Sequence, residues 1–147
     1  MLVAQGNLPE ALKSFRDGLA IREALAKDDP GNAGWRRDLS VSYDRVGNVL
    51  VTQGNLPEAL KAFRDGLAIR DALAKTDPGN ARWRRDVAVS HANLANLFLQ
   101  SGEKAKALVA FREGREIMLG LTLLSPDNAV WKRDLAWFDG QIGAVSK

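Results

Sequence analysis

The sequence predicts an all-α protein made of antiparallel helix hairpins, about six helices in all, with a 48-residue period. Nine residues, QGNLPEALK, occupy positions 5–13 and recur unchanged at positions 53–61. Within each copy, apolar residues follow one another at three- and four-residue steps, which is the spacing of one face of a helix. Proline and glycine separate these segments, as in tight turns between helices.

Three repeats, residues 2–49, 50–97 and 98–147, make up one predicted domain over residues 1–147, with half-repeats at both ends. Glycine, phenylalanine and tryptophan hold the same places in all three repeats, at Gly6, Gly54 and Gly102, at Phe15, Phe63 and Phe111, and at Trp35, Trp83 and Trp131. Repeats 1 and 2 match at most positions, whereas repeat 3 keeps only the skeleton. We therefore expect a short array of similar hairpins.

Each repeat is predicted to hold two kinds of helix. In repeat 2, the first helix places Leu60, Phe63 and Leu67 on a face that we expect to be buried. Its opposite face carries charged residues that we expect to meet solvent, namely Lys61, Arg64, Asp65, Arg70 and Asp71. The second kind of helix is predicted over residues 33–53, 81–100 and 129–145. In repeat 1 its buried side is predicted to hold Val41, Val46, Val49 and Leu50.

Two kinds of turn join the helices. In the first, Gly54 is placed to end a helix with a positive φ, and Asn55 is placed to cap the next helix with its side chain. Glu58 stands three residues on, where its carboxylate would reach back to this cap. In the second, the sequence DPGN breaks the chain, and Asn80 is predicted to cap the helix that follows. These joints predict tight helix–turn–helix hairpins.

Composition argues against several functions. The chain has no cysteine and a single histidine, His91, so a thiolate or multi-histidine metal site is not expected. His91 takes the place that Tyr43 holds one repeat earlier, and we interpret it as a helix-packing residue. Because no phosphate loop or catalytic constellation is present, we expect no enzyme activity and no cofactor. No apolar segment reaches membrane length, and a cytoplasmic location is expected.

One set of positions resembles the tetratricopeptide repeat signature. That signature runs aromatic, Leu-Gly, Tyr, Gly, Ala, aromatic and small residue. In this chain, the corresponding positions hold Tyr43, Val46, Gly47, Leu50, Gly54, Ala59, Phe63 and Gly66. The usual repeat has roughly 34 residues, so the longer period here resembles the long-helix variants of the family, such as those of kinesin light chains. The resemblance implies a right-handed α-solenoid that acts as a non-catalytic scaffold for protein–protein interaction.

In this family, the first helix of each hairpin lines a groove that holds a peptide or a helix. The helices predicted over residues 33–53 and 81–100 take that place in this chain. Carried over position by position, the resemblance implies these partner-binding residues: Asp44, Asn48, Val51, Thr52, Ala92, Asn96, Leu99 and Gln100. Asn48 and Asn96 match the groove asparagine, whose carboxamide both donates and accepts hydrogen bonds. The lysines that clamp a C-terminal carboxylate in the best-known groove are absent, because their places hold Asp44, Ala92 and Gly140.

The motif Trp-x-Arg-Asp occurs three times and has two interpretations. Its arginines, Arg37, Arg85 and Arg133, each precede an aspartate. They would form either a ladder for phosphate or an acidic partner, or a ladder of Arg–Asp pairs between adjacent repeats. The matching aspartates favour the pairs.

The ends of the array predict self-association as an additional role. The first helix lacks the partner that would cover one of its sides, so the chain is expected either to be a fragment of a longer array or to pair with a second copy. Repeat 3 holds an apolar cluster of Met118, Leu119, Leu121, Leu123, Leu124, Trp137 and Phe138. Either the terminal helices cover this cluster, or it is a patch for homo-oligomer formation.

Two alternatives to a protein-binding scaffold stay open: an RNA-binding helical repeat protein, and a structural fragment of a larger regulatory protein. RNA binding would need basic and polar residues in the groove at one position per repeat. The groove carries Asp44 and apolar residues instead, and the net charge is only +3. We therefore expect a protein or peptide partner and no nucleic acid.

Overall fold

The computed structural model describes residues 7–147, and this part of the chain is entirely helical outside its turns. It contains six helices: α1 Leu8–Asp28, α2 Ala33–Thr52, α3 Leu56–Thr76, α4 Ala81–Gln100, α5 Lys104–Leu124 and α6 Ala129–Val145. The prediction of an all-α protein with about six helices is confirmed. Helices α4 and α6 have the predicted bounds, and α2 ends one residue before the predicted end.

The chain divides into two compact units, Met1–Leu73 and Ala74–Lys147. The N-terminal unit contains α1, α2 and most of α3. The C-terminal unit contains the last residues of α3 together with α4, α5 and α6. The single domain over residues 1–147 and the handedness of the array stay predictions.

An asparagine caps the start of α2, α4 and α6 in the same way. The side chain of Asn80 accepts a hydrogen bond from the backbone N–H of Trp83, with an N···O distance of 3.1 Å. This satisfies one of the free donors at the start of the helix, as the sequence predicted. The same bond is formed by Asn32 with Trp35 and by Asn128 with Trp131. It explains why an asparagine stands before this helix in every repeat.

The other kind of turn confirms the glycine prediction and corrects the capping prediction. Gly54 and Gly102 have positive φ values of 80° and 76°, while Gly6 lies outside the described residues. The side-chain cap at Asn55 stays a prediction, while Asn7, at the equivalent place one repeat earlier, makes no cap hydrogen bond with its side chain. Glu58, predicted to reach back to its cap, instead accepts a hydrogen bond from Arg16 at 2.9 Å. Positive φ at the glycines is therefore the feature that these joints share.

The core of the N-terminal unit contains both expected and unexpected residues. The predicted residues Val46, Val49 and Leu50 are buried, whereas Val41 is only partly buried. The ring of Phe63 packs against Gly47, where a Cβ atom would lie 2.6 Å from the ring. The small residue therefore allows α2 and α3 to approach closely.

One residue of this unit contradicts the sequence prediction. Arg70, which we expected on the exposed face of α3, is only 4 % exposed. The helical spacing itself agrees with this burial, because Arg70 follows Phe63 by seven residues and Gly66 by four. The prediction of exposure rested on the charge of the side chain. The reason for the burial is a polar contact with α2, described below.

In the C-terminal unit, α5 packs against both α4 and α6. Phe138 of α6 lies over Gly114 of α5, and Phe111, Met118 and Leu121 are fully buried. The apolar cluster predicted for repeat 3 is therefore covered only in part. Its exposed members are Leu123, Leu124 and Trp137, at 71 %, 72 % and 41 % exposure.

Candidate functional site

A buried polar group joins α2 and α3 in the N-terminal unit. Arg70 Nη1 donates a hydrogen bond to Asp44 Oδ2 at 2.5 Å, and Arg70 Nε donates to Ser40 Oγ at 3.1 Å. Ser40 Oγ in turn donates to the carbonyl oxygen of Arg37 at 2.6 Å. Because both charged side chains are withdrawn from water, each depends on the other for its charge to be tolerated. We call Ser40, Asp44 and Arg70 the polar core.

The C-terminal unit holds apolar residues at the three equivalent positions. One period of 48 residues further on, the sequence has Ala88, Ala92 and Met118. All three line an open cavity of about 280 Å³. The cavity thus lies where the larger polar side chains stand in the other unit. Its complete lining is Arg85, Ala88, Val89, Ala92, Met118, Asp134, Trp137 and Phe138.

An ion pair closes one part of the cavity wall. Arg85 Nε donates to Asp134 Oδ2 at 2.6 Å, and Arg85 Nη2 donates to Asp134 Oδ1 at 3.4 Å. This hydrogen bonding to Asp134 raises the pKa of Arg85 above its usual value. The pair links the second and third Trp-x-Arg-Asp motifs, so the predicted Arg–Asp pairing is confirmed there. The charge of Arg85 is engaged within the protein.

The opposite wall is aromatic and fixed in place. Trp137 makes edge-to-face contacts with Phe111 and Phe138, with ring centroids 5.9 Å and 5.1 Å apart. Such contacts hold the indole ring in one orientation. Since Trp137 is also partly exposed, the cavity presents a rigid aromatic surface to the outside.

The predicted partner-binding residues fall into three groups. Four are exposed: Asn48, Thr52, Asn96 and Gln100. Three are partly buried: Val51, Ala92 and Leu99. Asp44 is buried and is engaged in the polar core, so it does not present its carboxylate to the surface. Of the eight, Ala92 is the one that lines the cavity.

Sequence reasoning missed most of the cavity, although a signal was present. Helices α2 and α4 are equivalent, but Ser40 of α2 is replaced by Ala88 in α4, and Asp44 is replaced by Ala92. In the same way, Arg70 of α3 is replaced by Met118 in the equivalent helix α5. A charge pair that disappears from two helices at once indicates that its members are in contact.

Tyr43 and His91, at equivalent positions, each contact a carboxylate on a neighbouring helix. The Tyr43 hydroxyl donates to Glu23 Oε1 at 3.2 Å. Burial, together with the nearby negative charge of Glu23, raises the pKa of Tyr43 to about 12. His91 Nδ1 lies 3.2 Å from Glu113 Oε2, which confirms His91 as a helix-packing residue. Within residues 7–147, no three His, Cys, Asp or Glu side chains gather as metal ligands would.

Comparison with known proteins identifies a family whose model the sequence matches. Residues 1–30 and 39–77 match the model of the tetratricopeptide repeat family. The chain belongs to the tetratricopeptide repeat family. The match covers the helices that carry the resemblance described above, and the 48-residue period extends the same pattern to residue 147. No curated protein matches the chain.

Membership in this family gives the chain its general role. Tetratricopeptide repeats are protein–protein interaction scaffolds and are in general non-catalytic. None of the helices described, from α1 to α6, has the length and apolarity that crossing a membrane demands.

Proposed function

We propose that this tetratricopeptide repeat protein is a non-catalytic scaffold that binds a segment of another protein, with one large apolar side chain of that segment entering the cavity between α4 and α6. The observation that carries the proposal is the cavity itself, which stands where the other unit is filled by its polar core.

The lining of the cavity favours an apolar side chain as its occupant. The cavity has a volume of about 280 Å³. Ala88, Ala92 and Met118 give it an apolar floor, and Trp137 gives it an aromatic wall. Burying one large apolar side chain is worth about 1.5–3 kcal/mol, which suits an anchor residue in a reversible complex.

Polar residues further along α4 are placed to hold the backbone of the same segment. Asn96, Leu99 and Gln100 follow Ala92 at intervals of four, seven and eight residues, and therefore share its side of the helix. The carboxamides of Asn96 and Gln100 are exposed and offer both donors and acceptors. We propose that these residues contact the backbone of the segment while the cavity takes its side chain.

Helix α2 offers a shorter version of this surface. Asn48, Val51 and Thr52 hold the same places as Asn96, Leu99 and Gln100. Asp44, however, stands at the position equivalent to Ala92 and is hydrogen-bonded to Arg70. We propose that α4 and the cavity beside it supply the anchor site on their own.

A protein segment is favoured over RNA by the charge of the site. A site for single-stranded RNA usually combines basic side chains for phosphates with aromatic rings for bases. The cavity contains one arginine, Arg85, and this arginine is paired with Asp134. An apolar side chain is therefore a better match than a nucleotide.

The test is to select ligands from a displayed library of random peptides and to fill the cavity by Ala92→Phe. We expect the selected peptides to share a large apolar residue. Their affinity should fall at least about tenfold on Ala92→Phe, because the anchor side chain loses its place. Asn96→Ala should weaken binding several-fold by removing hydrogen bonds to the peptide backbone. Fluorescence anisotropy of labelled peptides measures both effects.

The matched control is Ala105→Phe, which adds the same ring at an exposed position of α5 and should leave the affinity unchanged. Circular dichroism establishes that each variant keeps its helices. Equal affinity of the selected peptides for the unmodified chain and for the Ala92→Phe variant would exclude the cavity as the anchor site.

A further inference from the structure

Helices α1 and α3 have nearly the same sequence. Residues 8–27 and 56–75 differ at two positions only, where α1 has Ser14 and Glu23 and α3 has Ala62 and Asp71. The two helices therefore carry almost the same surface. What binds this surface on α3 indicates what the surface on α1 is able to bind.

On α3, the surface receives α2 through three contacts. The ring of Phe63 packs on Gly47, the backbone at Gly66 lies next to Asp44 and Ser40, and Arg70 forms the buried ion pair. Helix α2 thus supplies a serine, an aspartate four residues later and a glycine three residues after that, which is the pattern Ser-x-x-x-Asp-x-x-Gly. These three residues meet a phenylalanine, a glycine and an arginine of α3.

On α1, the same surface is open. Leu25 is 38 % exposed, whereas its counterpart on α3, Leu73, is 2 % exposed. Phe15 is only partly buried. Arg22, the counterpart of the buried arginine of α3, turns back to its own helix, where Nη1 donates to the carbonyl oxygen of Gly18 at 3.4 Å. We call Phe15, Gly18, Arg22 and Leu25 the α1 face.

We propose that the α1 face docks a helix of a partner protein that carries the pattern Ser-x-x-x-Asp-x-x-Gly. The aspartate of that helix pairs with Arg22, the serine accepts a second hydrogen bond from the guanidinium, and the glycine receives the ring of Phe15. This site is independent of the cavity between α4 and α6.

The charge of Arg22 selects the partner. A guanidinium that becomes buried without a carboxylate is strongly destabilising, so a helix without an aspartate at this place is rejected. Within this chain, α4 has Ala88, Ala92 and Ala95 at the three positions, and α6 has Ala136, Gly140 and Gly143. A second copy that offers α6 would therefore leave Arg22 facing small residues, and we infer that the occupant is a helix with the chemistry of α2.

The test uses the 147-residue chain and a labelled synthetic peptide with the sequence of residues 33–52. We expect saturable binding, measured by fluorescence anisotropy, with a gain of helicity on binding. The same peptide with Asp44→Ala should bind at least about 30-fold more weakly, because Arg22 then stays buried without a partner. Peptides with the sequences of residues 81–100 and 129–145, which lack the aspartate, should also bind weakly.

A matched exchange locates the contact on α1. The chain variant Arg22→Met copies the methionine of α5 and should lose affinity for the 33–52 peptide. It should gain affinity for the peptide in which Ser40→Ala and Asp44→Ala copy the alanines of α4. Because Arg22 is on an open face, circular dichroism should show unchanged folding of this variant.

Three results would overturn the proposal. The first is no binding of the 33–52 peptide, and the second is equal binding of that peptide and its Asp44→Ala form. The third is formation of a dimer in sedimentation that a Gly143→Trp substitution on α6 abolishes, since a second copy would then be the occupant.

Discussion

The two units of this protein solve the same packing problem with opposite chemistry. In the N-terminal unit, α2 and α3 meet through Ser40, Asp44 and Arg70. In the C-terminal unit, the equivalent positions hold two alanines and a methionine, and a cavity opens beside them. The polar side chains fill the space between their helices, whereas the smaller apolar side chains leave a cavity. The difference teaches that recognition in a repeat protein can arise where a structural contact has been given up.

The polar core should be the more fragile of the two solutions. Two charges removed from water gain little net free energy from each other, because their attraction mainly offsets the loss of hydration. Removing one partner leaves the other charge buried, and the free energy lost with its hydration is then not offset. The apolar core has no such dependence, since each of its side chains is tolerated alone.

The largest effect is expected for Asp44→Ala, which leaves the Arg70 guanidinium buried without its carboxylate. The free energy of unfolding should fall by about 3–5 kcal/mol, measured by urea denaturation. Asp38→Ala removes an exposed carboxylate of the same helix and should stay within about 0.5 kcal/mol. A small loss for Asp44→Ala would mean that the pair does not hold α2 and α3 together.

A smaller loss of stability, of the same size in both units, is expected at the two turn glycines. Gly54 and Gly102 both have positive φ, a conformation that costs residues with a Cβ atom about 1–2 kcal/mol. Alanine at either position should therefore lower the free energy of unfolding by about that amount. Gly143→Ala, inside α6 with open space around the new Cβ, should instead be neutral or slightly stabilising. Unequal losses at the two turns would contradict their equivalence.

The stability should depend on pH at the alkaline end through Tyr43. The pKa of Tyr43 is raised by burial, and further by Glu23, from 10.0 to about 12, so the folded protein holds the phenolic proton more tightly than the unfolded chain. The resulting stabilisation is complete below pH 10 and is lost as the pH rises towards 12. With screening of a partly exposed phenol taken into account, we expect about 1 kcal/mol.

Because Tyr43 is the single tyrosine of the chain, tyrosinate absorbance reports its ionisation directly. The midpoint should lie near pH 12 in the folded protein. In Glu23→Gln it should move part of the way back towards 10, since burial, the larger cause, remains. A midpoint at the ordinary value would show that Tyr43 is solvated.

The smallest net effect is expected when the whole polar core is exchanged. The triple variant Ser40→Ala, Asp44→Ala and Arg70→Met copies the C-terminal solution into the N-terminal unit. Replacing a buried ion pair by apolar residues is often neutral, so the free energy of unfolding should return to within about 1 kcal/mol of the parent. Urea denaturation of this variant and of Asp44→Ala gives two losses of stability. Their difference separates the effect of an unpaired buried charge from the effect of changed packing.

The helices were predictable because their evidence is local and repeated. The period of 48 residues, the turn glycines and the asparagine before each tryptophan fixed the bounds of α4 and α6 to the residue. The side-chain cap is absent at Asn7, whose backbone ψ is 50°, whereas the asparagines that cap α2, α4 and α6 have ψ values of 98°, 99° and 106°. A capping residue identifies a helix start more securely than it identifies the bond that forms there.

The candidate site was less predictable because it depends on contacts between helices. Arg70 was expected in solvent because of its charge, although its spacing of seven residues from Phe63 places it on the buried face of α3. The family resemblance placed Asp44 at the surface, because it carries over a groove position and does not take account of the Arg70 partner in this chain. Only the joint change of Asp44 to alanine and of Arg70 to methionine carries the missing information, and it relates residues that lie 26 positions apart.

The buried pair also restricts how duplicated repeats diverge. Passing from the polar to the apolar core takes several substitutions, and their order matters. If the aspartate changes first, a guanidinium that stays charged at any ordinary pH is left in a side chain only 5 % exposed. If Arg70 changes first, the remaining carboxylate is 12 % exposed and is able to take up a proton. The path of lower cost thus begins with loss of the arginine, and repeats that combine aspartate with methionine are the expected intermediates on the way to a repeat with an apolar core.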